Sequence, residues 1–204
     1  MRLVGQNLHV MRGEDEIIRG LDFVAEQGRA LVVTGANGAG KSTLLRAIAG
    51  LLPLTLGQLE LTPREAEFDG KDLGALCHYL GHANAMKPAM TVWENLEFWR
   101  NMSGMPHLEI SEALEMVGLD GLEGVPFAHL STGQRRRIGI ARLVINYRPV
   151  WLLDEPTAGL DAASHDQFVE LMGAHLDDGG LIVTATHIPF DLPQSDELFL
   201  GAGA

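Results

Sequence analysis

ALVVT at residues 30–34, GANGAGKS at 35–42 and STLLRAIAGL at 42–51 follow one another without a break, and together they decide the fold. The first run is short, apolar and β-branched; the last carries apolar residues at helical spacing. This is strand, loop, helix. The loop meets the pattern G-x-x-x-x-G-K-[ST], in which consecutive backbone N–H groups cradle phosphate oxygens at a helix N-terminus. Its glycines let the backbone wrap the phosphates closely. Lys41 is expected to reach the β- and γ-phosphates as a point charge and the Ser42 hydroxyl to ligate Mg²⁺. Gly35, Ala36, Asn37, Gly38, Ala39, Gly40 and Thr43 complete the expected nucleotide cradle. A glycine-rich turn capping a helix is the bland alternative. It is set aside because a full match placed between a strand and a helix, where the mechanism demands it, is rare by chance. The loop alone does not separate ATPases, GTPases and small-molecule kinases.

Two further runs, VWLL at 150–153 and LIVTA at 181–185, lack polar alternation, which is how strands buried on both faces of a parallel sheet read. Asp154, Glu155 and Pro156 follow the first of them. Carboxylates at the C-terminal end of a parallel strand face the ligand crevice. Asp154 is therefore expected to hold magnesium through water, and Glu155 to orient and polarise the attacking water as general base. Between the phosphate-loop helix and the first of these runs, residues 91–145 hold apolar side chains at helical intervals (Val92, Leu96, Trp99; Ile110, Ala113, Leu114, Val117; Ile138, Ala141, Ile145), the texture of an inserted helical lobe. The segments 3–10 and 17–24 read as short strands forming an antiparallel β edge on an α/β core.

Composition narrows the function classes. With 46% apolar and 21% charged residues among 204, the chain is an ordinary globular one, long enough for a sizeable core. A formal net charge of -12 opposes the phosphate attraction on which most nucleic-acid binding depends. No nucleic-acid partner is expected. Cys77 is the single cysteine, so no intrachain disulfide is possible, and MRLVGQNLHV at the N-terminus lacks an apolar signal core. A reducing, cytoplasmic setting is the expectation. No window holds the roughly 18 uninterrupted apolar residues that a span requires, since 44–61 is broken by Arg46, Gly50, Pro53 and Gly57. Any membrane role must come through a partner.

LSTGQ at 130–134, followed by Arg135, Arg136, Arg137 and the helix-spaced run IGIARLVI, decides the class. Here the chain resembles the ABC ATPase family. LSTGQ looks like that family's signature motif, GANGAGKS like its Walker A loop, VWLLDE like its Walker B strand, GLD at 159–161 like its D-loop, and Thr186-His187 like its switch histidine. The five occur in family order and cover essentially the whole chain. The resemblance implies a P-loop core with a parallel sheet, one ABC ATPase domain over residues 1–204, and a helical subdomain inserted over approximately 84–146. It implies ATP and Mg²⁺ as cofactors and a homodimer glued by two ATP molecules. Ser131 and Gly133, with Gln134, sit at a helix N-terminus and form a second anion site for the opposite subunit's nucleotide. Asp161 belongs to that nucleotide set, and His187 would contact the γ-phosphate and help to position Glu155. An integral membrane transporter subunit is the implied partner, at the cytoplasmic face of the bacterial inner membrane, with this chain peripheral.

The chain departs from the family pattern at two positions. YLGHANAMK has His82 where the Q-loop glutamine is expected, a polar replacement with a possible metal contact, and the usual adenine-stacking aromatic maps near Arg12, whose guanidinium can stack instead. The short chain, the LGH and the THIP at 186–189 look most like the ATP-binding subunit of the haem exporter used in cytochrome c maturation. No direct haem binding is expected, since no positioned iron ligand is present. The rivals are another single-cassette ABC importer or exporter, a soluble ABC protein of translation or DNA repair, and a P-loop kinase. Proteins of translation or DNA repair usually carry two cassettes in one chain, long inserts or basic segments, none of which is present, and a kinase gives no reason for LSTGQ.

Several features carry bland readings. Cys77, His78 and His82 suit loop and core roles rather than a metal site, Arg135 to Arg137 suit a solvated face, and Trp93, Leu96 and Trp99 suit the core of the helical lobe. ANAMKPAM at 83–90 is expected to be a surface loop whose Met86 and Met90 meet the membrane partner, the alternative being that both methionines tuck under the helical lobe.

Overall fold

The computed structural model describes residues 1–62, 72–103, 106–186, 192 and 194–201. The chain divides into two compact units, one made of Met1–Tyr79, Pro149–Glu155 and Met172–Ala204, the other of Leu80–Arg148 and Pro156–Leu171.

The first unit begins with β1 (Arg2–Arg12) and β2 (Asp15–Glu26), followed by β3 (Ala30–Gly35), α1 (Lys41–Ile48) and β4 (Leu56–Thr62). The N-terminal strands do not extend the core sheet as an edge. They form a separate antiparallel sheet in the order β2-β1-β4. Alternation is the cause: Leu3, Gly5, Leu8 and Val10 of β1 are buried while Arg2, Gln6 and Asn7 are exposed. A bulge between Gly5 and Leu8, where Asn7 adopts φ 47°, absorbs the residue that would otherwise turn the apolar set outward.

The second sheet adds β5 (Cys77–Leu80), β6 (Val150–Asp154), β7 (Leu181–Ala185) and β8 (Ser195–Leu200), in the order β5-β6-β7-β3-β8. The β6–β7, β7–β3 and β3–β8 pairs are parallel, and every residue of β6 and β7 is buried, as their uninterrupted apolar runs require. Buried Leu44, Leu45 and Ile48 let α1 pack against β1 and β2 as well as β6 and β7. The phosphate-loop helix therefore bridges both sheets.

The second unit contains α2 (Val92–Ser103), α3 (Ile110–Met116) and α4 (Thr132–Val144), which pack on one another through Val92, Leu96, Ile110, Ala113, Leu114, Ile138 and Ala141. Thr91 caps α2: its hydroxyl accepts from the Glu94 N–H at 3.1 Å while the Glu94 carboxylate accepts from the Thr91 N–H at 2.8 Å. The unit starts before residue 84 and also takes in Pro156–Leu171, which includes the first part of α5 (Ala162–Asp177). Two side chains depart from the expected core stripe. Trp93 is 38% exposed, and Trp99 is half-buried beneath the Arg142 guanidinium, 4.5 Å from the ring centroid.

Candidate active site

β3 ends at Gly35 and α1 begins at Lys41, so the loop between them turns at the C-terminal end of a parallel strand. Gly38 and Gly40 adopt φ 85° and 103°, and a Cβ on Gly40 would lie 3.0 Å from Ile17 Cγ2. Only glycine gives that conformation and that approach without strain. Buried Lys41 folds over the loop, its ammonium donating to the Gly35 carbonyl at 2.8 Å and the Ala36 carbonyl at 3.1 Å. The result is an open groove of about 350 Å³ lined by Arg12, Ile17, Asn37, Gly38, Gly40, Lys41, Ser42, Thr43, Asp154 and Glu155. Gly35, Ala36 and Ala39 shape the loop without lining the groove.

Across the groove, the last residue of β6 meets the first turn of α1. Ser42 Oγ donates to Asp154 Oδ1 at 2.9 Å, and Tyr79 Oη donates to Asp154 Oδ2 at 3.2 Å. Arg46 Nε donates to the same Tyr79 oxygen at 3.3 Å. A hydroxyl has one proton and two lone pairs, so the Ser42 proton spent on Asp154 leaves oxygen lone pairs for a cation. Serine hydroxyl, carboxylate and phosphate oxygens are the hard donors that magnesium prefers. Half-buried Glu155 follows, held at φ 47° with its N–H donating to the Ala185 carbonyl at 2.8 Å. A non-glycine residue in the left-handed region is costly and typical of working sites.

The structure brings Arg12, the phosphate loop, Asp154 and Glu155 to one groove in the first unit. His82, Ser131, Gly133, Gln134 and Asp161 belong to the second unit. His82 is exposed. Ser131 caps α4: its Oγ accepts from the Gln134 N–H at 3.2 Å, and Gln134 Oε1 accepts from the Ser131 N–H at 2.9 Å. A Cβ on Gly133 would meet the Gly159 carbonyl at 3.1 Å, so LSTGQ and the GLD turn approach closely. Asp161 Oδ1 accepts from the Ser164 N–H at 2.8 Å in the first turn of α5, and that backbone hydrogen bond holds its carboxyl below the usual range. His187 lies outside the described residues.

Three residues escape the sequence reading. Tyr79 carries no motif, and Asn95 and Arg136 are buried polar residues inside helical patterns. Arg136 is not on a solvated face: it is 5% exposed, donating from Nε to the Pro156 carbonyl and from Nη1 to the Gly81 carbonyl, both at 2.7 Å. Its spacing from Ile140 and Leu143 by four and seven residues was the available signal. Among the described residues, no group of three or more His, Cys, Asp or Glu is placed to hold a metal.

The family model described as ABC transporter matches residues 18–158. The chain belongs to the ABC transporter family. It is an ABC ATPase, 56% identical over 203 residues to the cytochrome c biogenesis ATP-binding export protein CcmA of Chelativorans sp. (strain BNC1), with all of both chains covered. The protein of the same name from Mesorhizobium japonicum is 52% identical over 201 residues, 98% of each chain. Among solved structures, a bacterial ABC transporter cassette determined as a dimer has the same fold, with a TM-score of 0.81 at 22% identity over 98% of this chain and 95% of that one. Among the described residues of this ABC ATPase, no helix is long and apolar enough to cross a membrane.

Proposed function

We propose that this ABC ATPase powers export in cytochrome c biogenesis as an ATP-closed homodimer, peripheral at the cytoplasmic face of the bacterial inner membrane beneath an integral membrane subunit. The names of the relatives at 56% and 52% identity support the export assignment. Haem is the exported group that the subfamily resemblance implies, and it passes through the membrane partner rather than binding this chain.

ATP lies along residues 35–43, with its β- and γ-phosphates taking the remaining proton of the Lys41 ammonium and the N–H groups at the start of α1. Arg12 and Ile17 flank the outer groove, where the guanidinium stacks on adenine. Ser42 through its hydroxyl and Asp154 through water would hold Mg²⁺, which would supply charge neutralisation for the phosphates. Glu155 takes the proton of the attacking water and His187 helps to position it. His82 supplies the polar group of the Q-loop. The signature residues Ser131, Gly133 and Gln134, with Asp161, serve the nucleotide of the opposite protomer. The positive end of the 13-residue helix α4 supports that role.

The observation that carries this reading is the 2.9 Å hydrogen bond from Ser42 to Asp154. It joins the phosphate loop to the acidic strand end beside Glu155, so the phosphate cradle, the cation donors and the base share one groove. Glu155→Gln tests it. ATP binding is expected to persist while single-turnover hydrolysis falls by orders of magnitude and an ATP-bound dimer accumulates on size exclusion. Near-normal turnover removes Glu155 from its role.

A further inference from the structure

Asp154 is 6% exposed at the end of β6, and both of its carboxylate oxygens accept from side chains. The bond from Ser42 belongs to the cation site described above. The bond from Tyr79 does not, and no motif accounts for it. Tyr79 stands on β5, the strand beside β6, and its phenol oxygen also receives the Arg46 Nε–H.

We propose that Tyr79 is a positioning residue which fixes the plane of the Asp154 carboxylate for the magnesium side of the site, with Arg46 setting the direction of the Tyr79 proton. The proposal rests on the reading of Asp154 as the magnesium-side carboxylate. Its logic is donor counting. A guanidinium can only donate and an ionised carboxylate can only accept, so the single phenol proton between them must point to Asp154.

Helix geometry closes the arrangement. Ser42 and Arg46 are four residues apart and share one face of α1. The same helix therefore delivers Ser42 to Oδ1 directly and Arg46 to Oδ2 through the phenol. A carboxylate gripped at one oxygen swings about its terminal torsion, which is soft. Gripped at both, it presents a fixed edge to the groove. Partners that orient a metal-side carboxylate typically change metal affinity about 10-fold or more when removed.

Tyr79→Phe keeps the ring and deletes only the O–H. In the Glu155→Gln background, which arrests hydrolysis, the equilibrium Mn²⁺ affinity of the ATP complex can be read by electron paramagnetic resonance. Tyr79→Phe is expected to weaken it about 10-fold while ATP binding in EDTA stays unchanged. Arg46→Gln should shift it the same way by less. In the active background, the Mg²⁺ concentration for half-maximal ATPase should rise in parallel. An unchanged Mn²⁺ affinity in a folded Tyr79→Phe chain overturns the proposal, whatever its melting temperature. If Tyr79→Phe does not fold, unchanged affinity in Arg46→Gln overturns it. Asp154→Asn separates the two levels: if it too leaves cation affinity unchanged, the reading of Asp154 fails; if it alone abolishes the affinity, only the role of Tyr79 falls.

Discussion

Arg136→Met should destabilise the helical unit markedly, although Arg136 lies in a run of three arginines that reads as surface. The guanidinium is buried and donates to the Pro156 and Gly81 carbonyls at 2.7 Å and to Asn84 Oδ1 at 3.3 Å. Methionine keeps the apolar stem and deletes the donors. Each short bond from a charged donor is worth about 1.5–3 kcal/mol, and relief of the buried charge offsets part of the two. A net loss of about 2–4 kcal/mol follows, equivalent to roughly 5–10 °C in a chain of this size. Arg136→Lys should fall at least as far, because an ammonium keeps the buried charge without the planar fork that spans both carbonyls. Thermal unfolding of the three proteins by circular dichroism tests this. A methionine variant melting within about 1 °C of the parent refutes the reasoning, as does full restoration by lysine. Pro156 follows Glu155 directly, so Arg136→Met should also lower kcat more than ATP affinity.

Ser131→Arg should abolish hydrolysis while nucleotide binding persists, and mixing it with a Lys41→Ala chain should restore partial ATPase activity through one intact composite site; silence in a mixture shown to contain mixed dimers would contradict site sharing. His175, stacked on Trp151 with ring centroids 4.1 Å apart, is pushed by burial down to about 4. Its contribution is complete above its unfolded value near 6.5 and is lost as pH falls from there towards about 4, up to about 3 kcal/mol; urea titrations should show that acid limb flattened in His175→Phe. Asn95→Ala should loosen residues 87–91 by about 2 kcal/mol, since the buried amide accepts from the Lys87 N–H and donates to the Lys87, Met90 and Thr91 carbonyls. Hydrogen exchange confined to that loop would detect it, and unchanged protection there would contradict it.

The readable elements are those whose cause is local. β3, β6 and β7 are short apolar runs, and their burial on both faces is the same fact seen in three dimensions. The separate antiparallel sheet is not local: β1 pairs with β4 across the whole phosphate loop and α1, and although Gln58-Leu59-Glu60-Leu61-Thr62 alternate as a strand does, nothing in that run names its partner. Both methionines of the Met86–Met90 segment are half-buried, between the surface and core readings, and Asn95 holds the backbone at Lys87 and Met90. Within the groove, the P-loop and the Asp154–Glu155 pair were legible because glycine, lysine and carboxylates at fixed offsets have few other uses. Tyr79 and Arg136 were not, because their meaning lies in partners distant in sequence.

Tyr79 bears on the residue that precedes Glu155. Glu155 adopts a left-handed backbone at φ 47°, a conformation costing of the order of 1–3 kcal/mol for a side chain of its kind. The chain is anchored at two consecutive residues there. Asp154 is gripped at both carboxylate oxygens by Ser42 and Tyr79, and Glu155 donates its own N–H to the Ala185 carbonyl. The tethers come from α1, β5 and β7, so no single element sets the angle. On the proposal that Glu155 is the base, a residue held this way needs no reorganisation when the attacking water arrives, which is where electrostatic preorganisation gains its advantage. Removing the Tyr79 hydroxyl should therefore leave the phosphate cradle, and with it metal-free nucleotide affinity, nearly intact while slowing the chemical step. On that proposal, affinity belongs to the glycine loop and rate to the groups that hold Asp154 and Glu155.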